Sequence, residues 1–164
     1  DLKDKGNMLS LWYARKYCNT DILFTTSDLI CDYADIAKFN NSKDDNKILI
    51  DRQNKKLFHD SDPVKVSITN NTISIINKNS KKLKTIDGIA IGLYQFSSKG
   101  IRSIISSIDN KIQAGNDNLS LYHAIDNVLE NFNVRPIYAD KCKWIDIDTP
   151  EDLYLAKQLS FEMS

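Results

Sequence analysis

The feature that most constrains the fold is a strand that leads directly into a helix at residues 88–112. The run GIAIGLYQFS at 88–97 is apolar and rich in strand formers, as in a buried strand. Apolar residues then recur at helical spacing and end before a glycine, namely Ile101, Ile104, Ile105, Ile108, Ile112 and Gly115. A unit of this kind is typical of α/β proteins, in which helices cover a largely buried sheet.

The rest of the chain continues this alternation of strands and helices. The sequence predicts a buried parallel strand at 21–28 and further strands at 47–51, 134–140 and 144–148. Helices are predicted at 7–17, 33–39 and 121–132, and a last helix opens at Thr149 and Pro150, a cap and a first-turn proline. No internal repeat and no domain boundary interrupts the 164 residues, so we expect one domain.

A β-hairpin is inserted into this pattern at residues 64–76. Apolar residues alternate with polar ones on either side of Asn70-Asn71, at Val64, Val66, Ile68, Ile73 and Ile75. Asparagine tolerates the positive φ that a tight hairpin turn needs. Together the elements predict an α/β sandwich around a mostly parallel sheet that carries an inserted β-hairpin.

Composition argues against several kinds of partner. Lys plus Arg and Asp plus Glu both number 22, so no overall basic field recruits nucleic acid or an anionic membrane. The most basic run, NKNSKKLK at 77–84, has no interleaved aromatic residues and is typical of a solvated loop. No apolar run reaches the roughly 18 residues of a membrane span. The three scattered cysteines fit reduced thiols in a cytoplasmic protein.

Two acidic positions are the candidate chemistry. In the strand WIDID, alternate side chains share a face, so Trp144, Asp146 and Asp148 point the same way. Asp148 has a local role at the start of the last helix, whereas Asp146 has none. Asp28 stands at the carboxyl end of a predicted buried strand, where open α/β sheets bind ligands. Two carboxylates suit Mg²⁺, with water and substrate phosphates as the other ligands. The alternative is a turn residue at Asp28 and a solvated carboxylate at Asp146.

The order and the sequence motifs of these segments resemble the nucleotidyltransferase superfamily with a GT-A-like fold, and most closely its phosphocholine cytidylyltransferase-like branch. GNMLSLWYARKYCNTDILFTTSDLICD at 6–32 resembles the N-x-x-S-L helix and the strand ending in Gly/Ser-Asp. GIAIGLYQFS resembles the central strand, and KWIDIDTPEDLYLAK at 143–157 resembles the closing W-x-(D/E)-I-D-T-x-E-D-L-x-x-A segment. The resemblance covers essentially the whole chain and implies a three-layer sandwich.

The resemblance also implies roles for the acidic residues and a reaction. Asp28 matches the aspartate that binds the catalytic Mg²⁺, Asp146 matches the second ligand, and Asp148 is a neighbouring candidate. The implied enzyme transfers a cytidylyl group from CTP to a small phosphorylated acceptor, phosphocholine or a similar molecule, and releases pyrophosphate. Two alternatives stay open: a sugar-1-phosphate nucleotidyltransferase that uses UTP or dTTP, and a nucleotidyltransferase-like module that binds without catalysis.

Three further residues are assigned to substrate binding by the same resemblance. Asn7 and Ser10 match the helix start that lines the nucleotide side of the site. Lys78 matches a lysine that reaches substrate phosphate, and the alternative for it is an exposed hairpin lysine.

One part of the family pattern has no counterpart in this sequence, because none of the five glycines forms the Gly-rich G-x-G-x-R loop. We therefore expect residues 1–164 to be the C-terminal portion of a single nucleotidyltransferase domain. The missing loop would then come from a longer chain or from a second polypeptide, such as a separate N-terminal fragment. The third alternative is a degenerate, non-catalytic relative. Self-association of the chain is left open as well.

Overall fold

The structure, a computed structural model, describes residues 7–116, 118–141 and 143–162, the last three of these without their side chains. The helices are α1 (Met8–Ala14), α2 (Tyr33–Asn41), α3 (Ser98–Gln113), α4 (Leu121–Asp126) and α5 (Pro150–Glu162). The strands are β1 (Ile22–Thr25), β2 (Leu29–Cys31), β3 (Lys47–Asp51), β4 (Lys65–Thr69), β5 (Thr72–Asn77), β6 (Gly88–Phe96), β7 (Arg135–Tyr138) and β8 (Trp144–Asp146). Short 3₁₀ turns span Arg15–Tyr17, Lys55–Phe58 and Ser80–Lys82.

The main sheet has six described strands and is mixed. Its order is β5–β4–β6–β3–β7, and β1 also pairs with β6. Strands β1, β3, β4 and β7 run in one direction, and β5 and β6 run in the other. The α/β fold class is confirmed, but the expected mostly parallel pairing is wrong in detail. Among the described strands only β3 and β7 pair in parallel, because β6 enters the centre of the sheet in the opposite direction.

Two hydrophobic cores cover the two faces of this sheet, since successive side chains of a strand point to opposite faces. One core joins α1, α3 and α4 to the sheet through Met8, Ile101, Ile104, Ile108, Ala124, Ile125, Ile48, Ile50, Tyr94 and Phe96. The other joins α2 and the Lys55–Phe58 turn to the sheet through Phe39, Phe58, Leu49, Ile89, Ile91 and Leu93. The result is the expected three-layer sandwich.

The inserted hairpin and the α3 helix form as predicted. β4 and β5 pair antiparallel, and Asn70 and Asn71 both have positive φ, at 51° and 57°. Gly115 adopts φ 77° directly after α3, where its N–H bonds to the carbonyl of Ile112. The helix predicted over 121–132 is shorter in the structure. It ends at Asp126 as α4, and the residues that follow form turns. Their N–H groups bond three residues back, as from Val128 to Ile125, so the apolar residues stay buried without an α-helix.

Gly92 allows two strands to share one edge of β6. β1 pairs with the Leu93–Phe96 half of β6, and β4 pairs with its other half at Gly88 and Ile89. Between the two halves, Gly92 has φ 86°, and its carbonyl accepts a hydrogen bond from the Thr26 N–H at 3.0 Å. A Cβ at this position would lie 2.6 Å from Thr26 Oγ1. Glycine is therefore needed both for the backbone conformation and for the close approach of Thr26.

The predictions of reduced thiols and of a cytoplasmic location are tested only in part by the structure. Cys18 and Cys31 are free thiols in the interior. Burial, followed by the charges of Asp35 and Asp32, raises the pKa of Cys31 to about 12, so this thiol is unreactive. Cys142 lies outside the described residues. In the part of the chain that the structure describes, no helix is both long and apolar enough to cross a membrane. The cytoplasmic location stays a prediction.

Candidate functional site

A two-stranded ribbon brings the distant Asp28 and Asp146 together. The expected strand over 21–28 instead ends at Thr25, and the chain turns into β2, which pairs antiparallel with β8. In that register Leu29 lies opposite Asp146, and the N–H of Ile147 donates to the Asp28 carbonyl at 3.0 Å. Asp28 thus lies in the turn before β2 rather than at the end of a buried parallel strand. The two carboxylates nevertheless open onto one cleft, as the sequence motifs predict.

We call this space, of about 290 Å³, the carboxylate cleft; its walls include Thr26, Asp28, Asp62, Lys78, Gly92, Tyr94, Tyr122, Trp144, Asp146 and Asp148. One carboxylate oxygen of Asp28 and one of Asp146 are buried and have no hydrogen-bond partner among the described residues. Burial, followed by the charges of Asp28 and Asp148, raises the pKa of Asp146 to about 6. A partly desolvated pair of carboxylates, each with one oxygen that lacks a donor, favours a bound cation.

The carboxylates of the cleft are of the ligand type that Mg²⁺ requires. Carboxylate oxygens are the hard ligands that Mg²⁺ prefers, and its sites commonly use one or two of them together with water and substrate phosphate. Asp28 and Asp146 fit this description because their buried oxygens lack other partners. Asp148 also lines the cleft but is exposed. No group of three or more His, Cys, Asp or Glu side chains within the described ranges is arranged to hold a metal. The structure therefore fits a two-carboxylate site, and a ligand role for Asp148 stays a prediction.

The start of α1 lies beside the carboxylates. Asn7 and Ser10 line a second space of about 460 Å³, which we call the helix-side pocket, with Leu11, Ala14, Phe24, Thr25, Ser27 and residues of the carboxylate cleft. Asn7, Thr26, Asp28, Tyr94 and Leu121 border both spaces. The Asn7 side-chain carbonyl accepts from the N–H of Leu121 at 2.8 Å, which ties α1 to α4. Asn7 and Ser10 are therefore near Asp28, and their contact with a nucleotide stays a prediction.

Lys78 faces the same cleft. It is the one basic side chain among the described residues that line the carboxylate cleft, and its Nζ pairs with Asp62 at 2.7 Å. Both partners are partly exposed, so this ion pair contributes little to stability. The backbone carbonyl of Lys78 accepts from the buried Lys65 ammonium at 3.3 Å, which fixes this end of β5. Lys78 is thus placed where it can meet an anionic substrate.

Sequence patterns did not single out three residues that form the cleft. Thr26 borders both spaces with a buried hydroxyl that has no partner among the described residues. Tyr94 also borders both, and burial, followed by the charge of Asp146, raises the pKa of its phenol. Tyr122 adds an aromatic ring to the wall of the carboxylate cleft. The only sequence signal for this part of the site is Gly92, a glycine inside an apolar strand, which marks a close backbone approach.

Comparisons with known proteins bear on this architecture. No protein-family model matches the chain. The chain is 25% identical over 169 aligned positions to the CTP:phosphoglutamine cytidylyltransferase of Campylobacter jejuni, covering 92% of the chain and 67% of that protein. The inositol-1-phosphate CTP transferase of T. maritima superimposes with a TM-score of 0.75 at 18% identity, over 98% of the chain. The chain has the nucleotidyltransferase fold. The resemblance to nucleotidyltransferases seen in the motifs is thereby confirmed.

A second solved nucleotidyltransferase has the same fold, and the two structures together show how much of their length the chain covers. The CTP:phosphocholine cytidylyltransferase of Streptococcus pneumoniae superimposes with a TM-score of 0.70 at 13% identity, over 96% of the chain. The chain spans 63% and 65% of these two solved nucleotidyltransferases. The similarity is therefore to somewhat less than two thirds of each structure.

Proposed function

We propose that the protein transfers a nucleotidyl group, from CTP in the first instance, to a small phosphorylated acceptor with release of pyrophosphate. The observation that carries this proposal is the pair of buried, partnerless carboxylate oxygens of Asp28 and Asp146 at a cleft that also holds Lys78. The similarity to cytidylyltransferases in sequence and fold supports the same reaction class. The identity of the base and of the acceptor belongs to the proposal.

In the proposed reaction, an acceptor phosphate oxygen attacks the α-phosphorus of CTP. The bond between the α-phosphorus and the oxygen that bridges to the β-phosphorus breaks, and pyrophosphate leaves with that oxygen. The attacking phosphate is already ionised near neutral pH, so the protein needs no general base. The task of the chain is to hold two anionic groups close together in the right orientation.

The residues of the two spaces divide this task. Asp28 and Asp146 would hold Mg²⁺, which when bound offsets the negative charge of the phosphate oxygens. The Lys78 ammonium provides a further positive charge, provided that it leaves Asp62 for the substrate. The Tyr94 phenol stays protonated because its pKa is raised, so it can donate a hydrogen bond between the two spaces. The helix-side pocket, with Asn7 and Ser10, is assigned to the nucleotide, and the carboxylate cleft to the acceptor.

Pyrophosphate release tests the proposal. The complete gene product is assayed with Mg²⁺, with CTP, UTP or dTTP, and with phosphocholine, phosphoglutamine or inositol 1-phosphate. We expect turnover with CTP. Asp28→Asn and Asp146→Asn each remove one anionic cation ligand with little change of shape, and each should lower kcat at least about 100-fold. Asp45→Asn is the matched control, since this exposed aspartate lies away from the cleft, and its kcat should stay within about twofold of wild type.

The outcomes separate the alternatives. Near-normal turnover of Asp28→Asn or Asp146→Asn contradicts the role assigned to that residue. A preference for UTP or dTTP would identify a sugar-1-phosphate nucleotidyltransferase. Absence of turnover with every pair, together with retained nucleotide binding, would identify a binding module. The further expectation, that a segment with a Gly-rich loop completes the nucleotide site, is tested by comparing this chain with the complete gene product in the same assay.

A further inference from the structure

Four side-chain oxygens in the described residues are buried and make no hydrogen bond. They are Thr26 Oγ1, Asp28 Oδ1, Asp146 Oδ1 and Ser107 Oγ. Asp28 and Asp146 are explained by the proposed cation. Ser107 lies on α3 and borders a separate surface groove with Asn110 and Asn131. Thr26 is left at the cleft with a hydroxyl that the proposed mechanism does not use.

The backbone N–H and carbonyl of Thr26 both make hydrogen bonds, whereas its hydroxyl makes none to a described residue. The Thr26 N–H donates to the Gly92 carbonyl at 3.0 Å, and its carbonyl accepts from the Thr25 hydroxyl at 3.1 Å. These bonds fix the Thr26 backbone, and its side chain lies over Gly92, where an added Cβ would be 2.6 Å from Thr26 Oγ1. Gly92 borders the carboxylate cleft but not the helix-side pocket. The hydroxyl therefore lies toward the side of the site that we assign to the acceptor.

A buried hydroxyl without a partner costs free energy, and valine of nearly the same shape would avoid that cost. Buried polar groups in native proteins almost always have a partner, so an exception at the wall of a cleft points to a bound molecule. Asp28, two residues further along, can only accept hydrogen bonds when ionised, whereas the Thr26 hydroxyl can donate. Rotation about χ1 among its staggered rotamers turns this donor toward the cleft. In that orientation the Thr26 hydroxyl donates its hydrogen bond to an acceptor oxygen in the cleft.

We propose that Thr26 is a substrate-binding residue whose hydroxyl donates a hydrogen bond to an oxygen of the phosphorylated acceptor at the carboxylate cleft. This inference rests on the proposed function and adds a residue that selects the acceptor. The oxygen belongs either to the acceptor phosphate or to a hydroxyl elsewhere in the acceptor. Both offer the same hydrogen-bond chemistry, and two acceptors distinguish them, because phosphocholine has oxygens only in its phosphate group and inositol 1-phosphate has ring hydroxyls as well.

The test compares Thr26→Val, which removes the hydroxyl, with Thr26→Ser, which keeps it, in the complete gene product. The readouts are kcat and KM for pyrophosphate release from CTP, acceptor affinity by calorimetry with Mg²⁺, and unfolding in urea. We expect Thr26→Val to lower kcat/KM about 10- to 100-fold, mainly through KM, without any loss of stability. Thr26→Ser should stay within about threefold of wild type. A penalty with both acceptors assigns the phosphate oxygen, and a penalty with inositol 1-phosphate alone assigns a ring hydroxyl.

Ser107→Ala is the matched control, because it removes the same kind of buried, partnerless hydroxyl away from the cleft. It should leave kcat/KM within about twofold of wild type. Equal kcat/KM and equal acceptor affinity of wild type and Thr26→Val would overturn the inference, and so would a Thr26→Val protein that is less stable than wild type. If wild type releases no pyrophosphate at all, the proposed function fails and calorimetry still decides. Acceptor binding that Thr26→Val loses supports the role of Thr26, whereas unchanged or absent binding overturns it.

Discussion

Two pairs of aspartates in the molecule have different surroundings. Asp35 and Asp51 are almost completely buried, at 1% exposure each, and both are well supplied with donors. Asp35 accepts from the N–H groups of Asp140 and Lys141 at 2.7 and 3.3 Å. Asp51 accepts from the N–H groups of Gln53 and Asn54 and from the Trp144 indole, at 2.7, 3.2 and 2.9 Å.

The pair in the carboxylate cleft, Asp28 and Asp146, is less buried, yet each has an oxygen without a donor among the described residues. Burial of the acid is thus a poor guide to its role, and the supply of donors is a better one. Asp35 and Asp51 hold loops together, and Asp51 also orients Trp144, whose other surface forms a wall of the cleft. For Asp28 and Asp146 we propose that a bound cation is the partner that the protein itself does not provide.

The largest effect that follows from this comparison concerns Asp35. Asp35→Ala removes a buried carboxylate and leaves the N–H groups of Asp140 and Lys141 without this acceptor, so the free energy of unfolding should fall by about 3 kcal/mol. Urea denaturation followed by circular dichroism measures this difference. Asp140→Ala is the neighbouring control, since it breaks only a partly exposed ion pair with Lys38 and should cost less than about 1 kcal/mol. A loss below 1 kcal/mol for Asp35→Ala would remove the distinction between the two pairs.

A smaller effect of opposite sign is expected for Asp146. Its pKa is raised to about 6, so the native state holds a proton that the unfolded state has already lost between about pH 4 and pH 6. The free energy of unfolding therefore falls as the pH rises through this window. Asp146→Asn removes the buried charge and should be more stable than wild type at pH 7.5 by about 1 kcal/mol, a value discounted because the carboxyl is partly exposed.

Urea titrations in EDTA at pH 4.5 and pH 7.5 measure this stability difference. The advantage of Asp146→Asn should be clearly smaller at pH 4.5, where the wild-type carboxyl is largely protonated. A variant that is less stable than wild type at pH 7.5 would show that Asp146 has a structural partner, as Asp35 does.

Much of the fold was predictable because its signals are local. The Asn70-Asn71 turn and the alternation around it define the β4–β5 hairpin within a few residues. The isoleucine spacing and Gly115 define α3 in the same way. The direction in which β1 pairs with β6 was not predictable, because a short apolar run is compatible with either direction. The three-residue strand Leu29–Cys31 shows no periodicity of its own and forms only because β8 pairs with it.

The same limit applies to the candidate site. Asp28 and Asp146 were predicted as site residues because each stands at an unusual place in a recognisable motif. The structure brings them into one cleft, and their role as cation ligands stays a prediction. Thr26 was not found, since a threonine at a strand end is unremarkable until Gly92 comes to lie beneath it. Asp35 and Asp51 were not singled out because some of their donors, such as the Asp140 N–H and the Trp144 indole, come from distant parts of the chain.

Binding of a divalent cation tests the central claim most directly. Mn²⁺ replaces Mg²⁺ at oxygen sites, and electron paramagnetic resonance measures the free ion, so binding is followed without any substrate. We expect one Mn²⁺ per wild-type chain at pH 7.5, with weaker binding at pH 5, where the Asp146 carboxyl is largely protonated. The double variant Asp28→Asn with Asp146→Asn should bind at least about tenfold more weakly, while Asp45→Asn binds as wild type does. Equal Mn²⁺ affinity of wild type and the double variant would contradict the account.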